Sequence, residues 1–275
     1  MNLESDYNFF KQLYLNEQKS LSYISRKYNI SRWSLTKRLK LDGIKIVNRQ
    51  NEQSLYQDFF EVIDTEEKAY WLGFLYADGY ISKNSNHIEL SLQLSDINHL
   101  IKFSKAINFT NNIIKDYKVP RCRICFACKK MHKDLVNQGC VPQKSLILNH
   151  PENVPEELVI HFIRGYFDGD GSVSFNERKH HRPSLQIIGT EDVLSWISEK
   201  LNKKSSKRRK DKRTENDKTL CIGYSGEKAR EILFMLYKNA NVYLDRKYER
   251  FCLMKTALLD SDVQYALGKI GKRQK

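Results

Sequence analysis

The chain has 275 residues, of which 40% are hydrophobic and 11% aromatic, so it has enough apolar material for one large folded domain and a small one. Lys and Arg number 47 against 33 Asp and Glu, and the net charge of +14 favours a polyanionic partner, with nucleic acid first. The sequence lacks a basic segment followed by an apolar one at its start, and no apolar run approaches the roughly 20 residues that span a bilayer. We therefore expect an intracellular protein without a signal peptide, transmembrane segment or membrane partner, in the cytoplasm or wherever its nucleic acid lies.

The first fifty residues predict three short helices. Apolar residues recur at helical spacing in three blocks, and Ser31 is placed to cap the third helix after a break at Asn29 and Ile30. This order is typical of a helix-turn-helix, whose last helix enters the major groove of DNA, although a solvated basic helix on a small bundle is the alternative. The DNA-facing residues of that helix are expected to be Arg32, Ser34, Lys37, Arg38 and Lys40. We assign residues 1–50 to this module and residues 51–65 to a linker.

Six cysteines are scattered along the chain, as is usual for thiols that stay reduced inside a cell. Cys122, Cys125 and Cys128, followed by His132 and Cys140, have spacings that could hold zinc or an iron–sulfur cluster. The residues around the first two alternate as in a strand, however, and a period of two would send Cys122 and Cys125 to opposite faces. We interpret these cysteines as small buried hydrophobic residues.

The remainder of the chain repeats itself. Residues 70–81, YWLGFLYADGYI, return as residues 162–173, FIRGYFDGDGSV, 92 residues later. An alternating segment and then an amphipathic helix follow each copy, which predicts the order helix, two strands, helix, two strands, helix. The expected fold is α+β, with two pseudo-symmetric αββαββα half-domains at residues 66–153 and 154–259 and a basic tail at residues 260–275.

Each repeated segment is an apolar helix that ends at an aspartate followed by glycine. Gly73 and Gly165 stand at the same place in the two helices, four residues before another small residue, so the helices could approach backbone to backbone. Their C-terminal ends would then coincide and bring Asp78 and Asp170 together. Two facing carboxylates at helix C-termini favour a hard divalent cation, and Mg²⁺ is the expected one.

A metal held by these acids would suit phosphodiester hydrolysis, because it activates water and stabilises charge on phosphate oxygens. A basic residue near the phosphate would add to this, and Lys144 and Lys247 stand at similar places in the two halves. The alternatives are a core helix with an acid at its exit and ordinary solvated lysines. The same Gly-to-Asp spacing in both copies argues against the first alternative.

At residues 71–79 and 163–171 the sequence resembles the LAGLIDADG homing endonucleases of the single-chain, two-motif type. The second motif is close, whereas the first has Tyr76 where the earlier Asp of the motif would be. The resemblance implies a site-specific double-strand DNA endonuclease with Mg²⁺, or another divalent cation such as Mn²⁺, at its active site. The implied site residues are Asp78 and Asp170 as metal ligands, the backbone carbonyls of Ala77 and Gly169 as further ligands, and Lys144 and Lys247 as basic residues beside them.

The resemblance also implies a saddle of antiparallel strands that lies in the major grooves of a long, asymmetric DNA target, and a chain that acts as a monomer. Polar residues alternate with apolar ones along the predicted strands, which gives each strand a polar face for bases and phosphates. The residues expected on these faces are Ser91, Gln93, Arg121, Arg123, Ser172, Ser174, Gln186, Arg208, Lys210 and Lys212.

A non-cutting nucleic-acid binder with the same fold is the alternative function. It would be an intron maturase, with intron RNA as its partner, or a transcription regulator that uses the helix-turn-helix. The retention of both terminal aspartates argues against a nuclease that has lost its activity, but a maturase could keep them as well.

Overall fold

The computed structural model describes residues 3, 6–17, 19–46, 55–144, 147–176, 179–205, 207–210 and 220–272. Two compact units account for them: Met1–Leu55 with Asn108–Thr110, and Tyr56–Ile107 with Asn111–Lys275. Over these ranges no helix is both long enough and apolar enough to pass through a bilayer.

The first unit contains three helices, α1 (Tyr7–Leu15), α2 (Leu21–Tyr28) and α3 (Arg32–Leu41). Asn29 ends α2 in the left-handed region with a φ of 53°, a conformation that Asn tolerates better than most residues. The hydroxyl of Ser31 accepts a hydrogen bond from the amide of Ser34 at 3.3 Å and caps α3 as predicted. Phe10, Leu13, Ile24, Leu35 and Leu39 form the apolar core of this unit.

The polar face of α3 lies where the sequence predicted it. Arg32, Lys37, Arg38 and Lys40 are exposed, and Ser34 is half-buried. Leu35 and Leu39 alone among the helix residues are fully buried. The helix therefore attaches to its unit by two leucines and leaves its basic residues to solvent.

The second unit contains two half-domains with the same order of elements, so the predicted α+β fold is confirmed. The first consists of α4 (Glu66–Asp78), β1 (Gly79–Ile81), β2 (His87–Gln93), α5 (Ile97–Ala106), β3 (Ile114–Asp116), β4 (Arg121–Ala127) and α6 (Lys129–Asn137). The second consists of α7 (Val159–Asp170), β5 (Gly171–Asn176), β6 (Lys179–Gly189), α8 (Glu191–Lys200), β7 (Lys207–Lys210), β8 (Leu220–Ser225) and α9 (Glu227–Tyr237). All strand pairs are antiparallel, and the sheet orders β1-β2-β4-β3 and β5-β6-β8-β7 are the same in the two halves.

Each sheet has one apolar face and one polar face. Along β2, Ile88, Leu90 and Leu92 are buried, and the residues between them are at least partly exposed. A strand sends alternate side chains to opposite faces, so these apolar residues share the face that packs on helices. This leaves the other face of the sheet open to a partner.

The segment expected to be a linker differs from the prediction. Residues 51–54 lie outside the described residues, but Phe59, Phe60 and Ile63 are buried in the second unit. The stretch is too short for a helical or strand period to be recognised, so the sequence pattern could not show that these aromatic residues enter the core.

The C-terminal residues also differ from the predicted basic tail. A last helix, α10 (Asp245–Lys272), continues through the predicted boundary at residue 259. Residues 245–267 contain neither Pro nor Gly, so nothing in their backbone chemistry ends the helix there.

The cysteine series is spread over a strand and the following helix. Cys122 is buried, Cys125 is half-buried, and the Cys128 sulfur accepts from the amide of Met131 at the start of α6. In the part of the chain that the structure describes, no three His, Cys, Asp or Glu side chains gather in a group that could hold a metal. These positions agree with the interpretation of the cysteines as small packed residues.

Candidate active site

Helices α4 and α7 pack against each other through reciprocal glycines. A Cβ on Gly165 would collide with the carbonyl oxygen of Tyr70 and lie 2.9 Å from the amide nitrogen of Phe74. A Cβ on Gly73 would collide in the same way with the carbonyl oxygen of Phe162. Such distances are inside van der Waals contact with backbone atoms, which cannot move away as a side chain can. The two helices therefore approach as closely as they do only because both positions are glycine.

This packing brings the C-terminal ends of the two helices together. A Cβ on Gly169 would collide with the side chain of Ala77 and lie 3.3 Å from Oδ2 of Asp78. Asp78 and Asp170 are the last residues of α4 and α7, and Gly79 and Gly171 begin the next strands. The structure thus places the two predicted acids at one point between the half-domains.

The surroundings of the two acids disfavour their charged forms. Removal from water raises the pKa of Asp78, against the opposing effect of the charges on Lys144, Lys247 and Arg246. Desolvation and then the charge of Asp78 raise the pKa of Asp170 to about 6. When both are ionised they repel each other, and the negative ends of two helix dipoles add to the repulsion. A cation placed between them would relieve it.

Replacing Asp170 by Asn should stabilise the protein at about pH 8 in the absence of metal. Its folded-state pKa of about 6 lies above the unfolded value, so its favourable contribution exists below the unfolded pKa and is lost as pH rises through about 6. Asn removes the repulsion, and we expect a gain of roughly 1 to 2 kcal/mol in the free energy of unfolding after allowance for solvent screening. Urea unfolding in EDTA at about pH 5 and about pH 8 measures it.

The control for this prediction is the same substitution at Asp192. Partial burial alone would raise the pKa of Asp192, but hydrogen bonds from the amide and ring of His150 outweigh it and lower the pKa. Asp192→Asn should therefore destabilise the protein at the higher pH. A loss of stability of equal size at both pH values in Asp170→Asn would contradict the account of the acid pair.

Lys144 closes the C-terminal end of α4. Its side chain is buried, and Nζ donates to the carbonyl oxygens of Leu75 at 2.8 Å, Ala77 at 2.9 Å and Gly79. The last carbonyls of a helix have no partner within the helix, so an ammonium placed there satisfies them and offsets the negative end of the dipole. The carbonyl of Ala77, expected to help bind metal, accepts one hydrogen bond from this lysine.

Lys247 closes the end of α7 in the same way. Its Nζ donates to the carbonyl oxygens of Phe167, Asp168 at 2.8 Å and Gly171 at 2.6 Å. Burial lowers its pKa to about 8. An ammonium has three N–H groups, and those of both lysines are directed at backbone oxygens. In this geometry the two lysines position the helix ends that carry the acids. Their expected place beside the phosphate of a bound DNA stays a prediction.

Lys247→Met is expected to lower the free energy of unfolding by roughly 2 kcal/mol or more, because it leaves buried carbonyls without donors. Lys255→Met is the matched control, since it removes an exposed lysine from the same helix. Chemical denaturation of both variants measures the difference. Equal stabilities for the two variants would show that the contacts of Lys247 with the carbonyls contribute nothing.

The residue two places before each terminal aspartate anchors the loop that carries the lysine. In the second half, buried Asp168 accepts from the hydroxyls of Tyr70 at 2.7 Å and Tyr237 and from the amide of Leu244 at 2.8 Å. Leu244 immediately precedes α10, so this carboxylate fixes the backbone three residues before Lys247. This role of Asp168 was not predicted from the sequence.

In the first half, Tyr76 takes the same position and also anchors the loop that carries the lysine. Its hydroxyl donates to the carbonyl of Gln138 at 2.5 Å, in the loop that leads to Lys144. It also fills the space beside Gly139, whose φ of +91° is strained for other residues. The departure of the first motif at Tyr76 is therefore explained by a longer side chain that reaches a loop of different shape.

Arg164 ties the second loop down from its other side. The guanidinium is buried in α7 and donates to the carbonyls of Val242 at 2.9 Å and Leu236 at 3.0 Å. It also forms an ion pair with Glu66 at 2.6 Å, and Glu66 accepts from Asn241 at 2.8 Å. The sequence signal for this network was an arginine within the mostly apolar first part of α7, residues 159–167.

The predicted DNA-facing residues of the first sheet share its polar face. The register pairs Ser91 with Arg123 and Gln93 with Arg121, and both arginines are exposed. In the second sheet, Ser172 and Ser174 are exposed on β5, and the exposed Gln186 of β6 is directly opposite Ser172.

The register of β7 differs from the expected one. Arg208 pairs with Ile222 and Lys210 with Leu220, whereas Lys207 pairs with Gly223, which is itself opposite Gln186. Lys207 and Arg209, rather than Arg208 and Lys210, thus hold the register positions in line with the polar face. A run of basic residues has no apolar alternation from which the phase of a strand can be predicted. Lys212 lies outside the described residues.

Trp33 on α3 was missed as a candidate DNA contact. Its side chain is 70% exposed, and Nζ of Lys37 lies 5.1 Å from its ring centroid. This large aromatic ring is thus left in solvent next to the basic residues of the same helix. The signal was a tryptophan next to the predicted cap.

No protein-family model and no curated protein sequence matches this chain. Its fold is similar to solved structures. I-LtrWI, a LAGLIDADG homing endonuclease bound to target DNA, is 12% identical over 76% of this chain and 97% of that chain, with a TM-score of 0.49. I-GzeII, a LAGLIDADG homing endonuclease in complex with its DNA target, is 11% identical over 72% of this chain and 92% of that chain, with a TM-score of 0.48. Full-length DUF199/WhiA from Thermatoga maritima is 18% identical over 79% of this chain and 72% of that chain, with a TM-score of 0.44. Structures of LAGLIDADG homing endonucleases are thus among those that this chain resembles, and the likeness concerns the fold.

Proposed function

We propose that this chain is a divalent-metal-dependent endonuclease for double-stranded DNA. The observation that carries the proposal is the meeting of Asp78 and Asp170 at the coincident ends of two glycine-packed helices. A pair of crowded carboxylates costs free energy in the absence of a cation, and a chain that only bound DNA would gain nothing from it. The net charge of +14 supplies the complementary attraction to a polyanion.

The residues at this point fit Mg²⁺ or Mn²⁺. Carboxylate oxygens are hard ligands, and Asp170, with a pKa of about 6, is ionised at neutral pH. Mg²⁺ usually keeps several waters and binds through one or two carboxylates together with substrate phosphates, so two acids are sufficient. When bound, the metal supplies activation of water and neutralisation of charge on the scissile phosphate.

The residues of the chain itself bind the DNA and hold the two aspartates in place. Lys144 and Lys247 hold the two helix ends, Asp168 and Tyr76 hold the loops of the lysines, and the aspartates are thereby fixed before DNA arrives. Preorganised charge is more effective than charge that must be ordered during the reaction. The polar sheet faces and the basic face of α3 would contact the DNA backbone and bases.

A non-cutting DNA or RNA binder is the second candidate. The exposed basic face of α3 with Trp33 supports it, because a helix-turn-helix is sufficient for binding on its own. The acid pair weighs against it, since two carboxylates without a cation would repel a phosphate backbone.

The experiment uses the full chain and supercoiled plasmids that carry random inserts, together with one plasmid in which the sequences flanking the gene are joined. After incubation in Mg²⁺, Mn²⁺ or EDTA, sequencing of all DNA ends should show double-strand breaks at one recurring sequence with either metal and none in EDTA. The control is the double variant Asp78→Asn, Asp170→Asn, which should produce no such ends. Retention of plasmid on the protein without breaks in either metal would establish the binder instead.

A further inference from the structure

Arg246 joins the two half-domains beside the acid pair. It lies in the first turn of α10, next to Lys247, and its Nε donates to Oδ2 of Asp96 at 3.1 Å. Asp96 belongs to the first half, in the short turn between β2 and α5. The side chain of Arg246 is 55% exposed and that of Asp96 only 10%, so the guanidinium lies on the solvent side of the pair.

Arg246 is held against the first half although it belongs to the second. It directly precedes Lys247, whose Nζ donates to the carbonyls of Phe167, Asp168 and Gly171 at the end of α7. Its own side chain reaches across to Asp96 of the first half.

Arg246 is also the cation here that can still bind an anion. The ammonium groups of Lys144 and Lys247 donate to backbone carbonyls with all their N–H groups. Arg246 uses only Nε toward Asp96, and among the described residues its two terminal amino groups have no hydrogen-bond partner. A guanidinium with both amino groups free matches a phosphate in two parallel hydrogen bonds.

The residue at the matching position of the first half carries no charge. The residue before Lys144 is Gln143, which is exposed and neutral and has a φ of +56°. The residue before Lys247 is Arg246. The two halves thus agree in their acids and lysines and differ in charge at this place.

We propose that Arg246 contacts one of the two scissile phosphates, and that the DNA strand containing this phosphate is cut faster than the other strand. The inference rests on the proposed endonuclease function. In the hydrolysis, the oxygen of water forms a bond to phosphorus and the water gives up a proton to solvent. The bond from phosphorus to O3′ breaks, and its electron pair leaves with O3′, which takes up a proton from solvent. Arg246 neutralises charge on the non-bridging oxygens of one strand only, and Gln143 offers only neutral hydrogen bonds to the other.

The test follows the two strands of a cleaved duplex separately. A duplex recovered from the plasmid experiment carries a different fluorescent label on each strand and is cut by excess full-length protein in Mg²⁺. The wild-type chain should cut one strand faster. Arg246→Gln should slow that strand about 100-fold and the other less than about 3-fold, and Arg246→Lys should retain part of the rate.

Binding and a matched arginine complete the design. The dissociation constant for the same duplex in EDTA should change less than about 5-fold in Arg246→Gln, because one phosphate contact of several is lost. Arg230→Gln removes an equal charge that pairs with Glu227 on α9, and both strand rates should stay at the wild-type values. If Arg246→Gln slows both strands equally, or neither, the inference is overturned. Equal strand rates in the wild-type chain overturn it as well, and cleavage of neither strand by that chain overturns the proposed function together with it.

Discussion

Replacing Asp78 or Asp170 by Asn is expected to lower the rate of DNA cleavage by more than about 1,000-fold while DNA binding stays within about 10-fold of wild type. Asn keeps the size of the side chain but removes the charge that a divalent cation requires. The two acids meet at one point, so loss of either one should disable the shared site rather than half of it. Single-turnover cleavage and equilibrium binding of the same duplex provide the two measurements.

The control for this prediction is Asp64→Asn. Asp64 is a solvated carboxylate just before α4, where it pairs with Lys68 at 2.8 Å, so its loss changes the net charge by the same amount at the far end of the same helix. Cleavage by this variant should stay at the wild-type rate. Undiminished cleavage by Asp78→Asn would remove Asp78 from the metal site.

Gly165→Ala is expected to lower the free energy of unfolding of the second unit by more than about 4 kcal/mol. A loss this large is exceptional for one substitution and is expected here from severe overpacking. In an exposed helix the same change would stabilise by about 1 kcal/mol, because Ala is the better helix former. Here the new methyl group would meet the carbonyl oxygen of Tyr70, and the two helices would have to separate. Urea unfolding measures the loss, and cleavage should fall with it because the aspartates move apart.

Gly73→Ala provides the symmetric comparison, since its Cβ would meet the carbonyl of Phe162. The two variants should lose similar amounts of stability. A Gly165→Ala protein as stable as wild type would mean that the helices are not held in backbone contact in solution.

The glycine-packed helices and their meeting acids could be predicted because the evidence for them is local and repeated. The spacing from Gly73 to Asp78 recurs from Gly165 to Asp170, and a repeated spacing constrains two elements at once. The order of helices and strands could be predicted as well, because the same hydrophobic periods recur in both halves. The capping residue Ser31 also fulfilled its predicted role.

The roles of the lysines and of the residues that hold them could not be predicted, because they depend on contacts distant in sequence. Lys144 reaches carbonyls 65 to 69 residues away, and no periodicity shows which way its ammonium points. Asp168 and Tyr76 hold different loops through different groups, a carboxylate and a phenol hydroxyl. The sequence therefore does not show that they have the same role. All four residues of β7 are basic, so the sequence could not show which of them hold the register positions in line with the polar face.

Anomalous diffraction from crystals of the full chain bound to its target duplex in Mn²⁺ would locate the metal that the proposed nuclease requires. A metal peak is expected within bonding distance of a carboxylate oxygen of both Asp78 and Asp170 and next to a DNA phosphate. A duplex cut in the crystal with Mn²⁺ bound elsewhere, and with both carboxylates free of metal, would contradict this expectation.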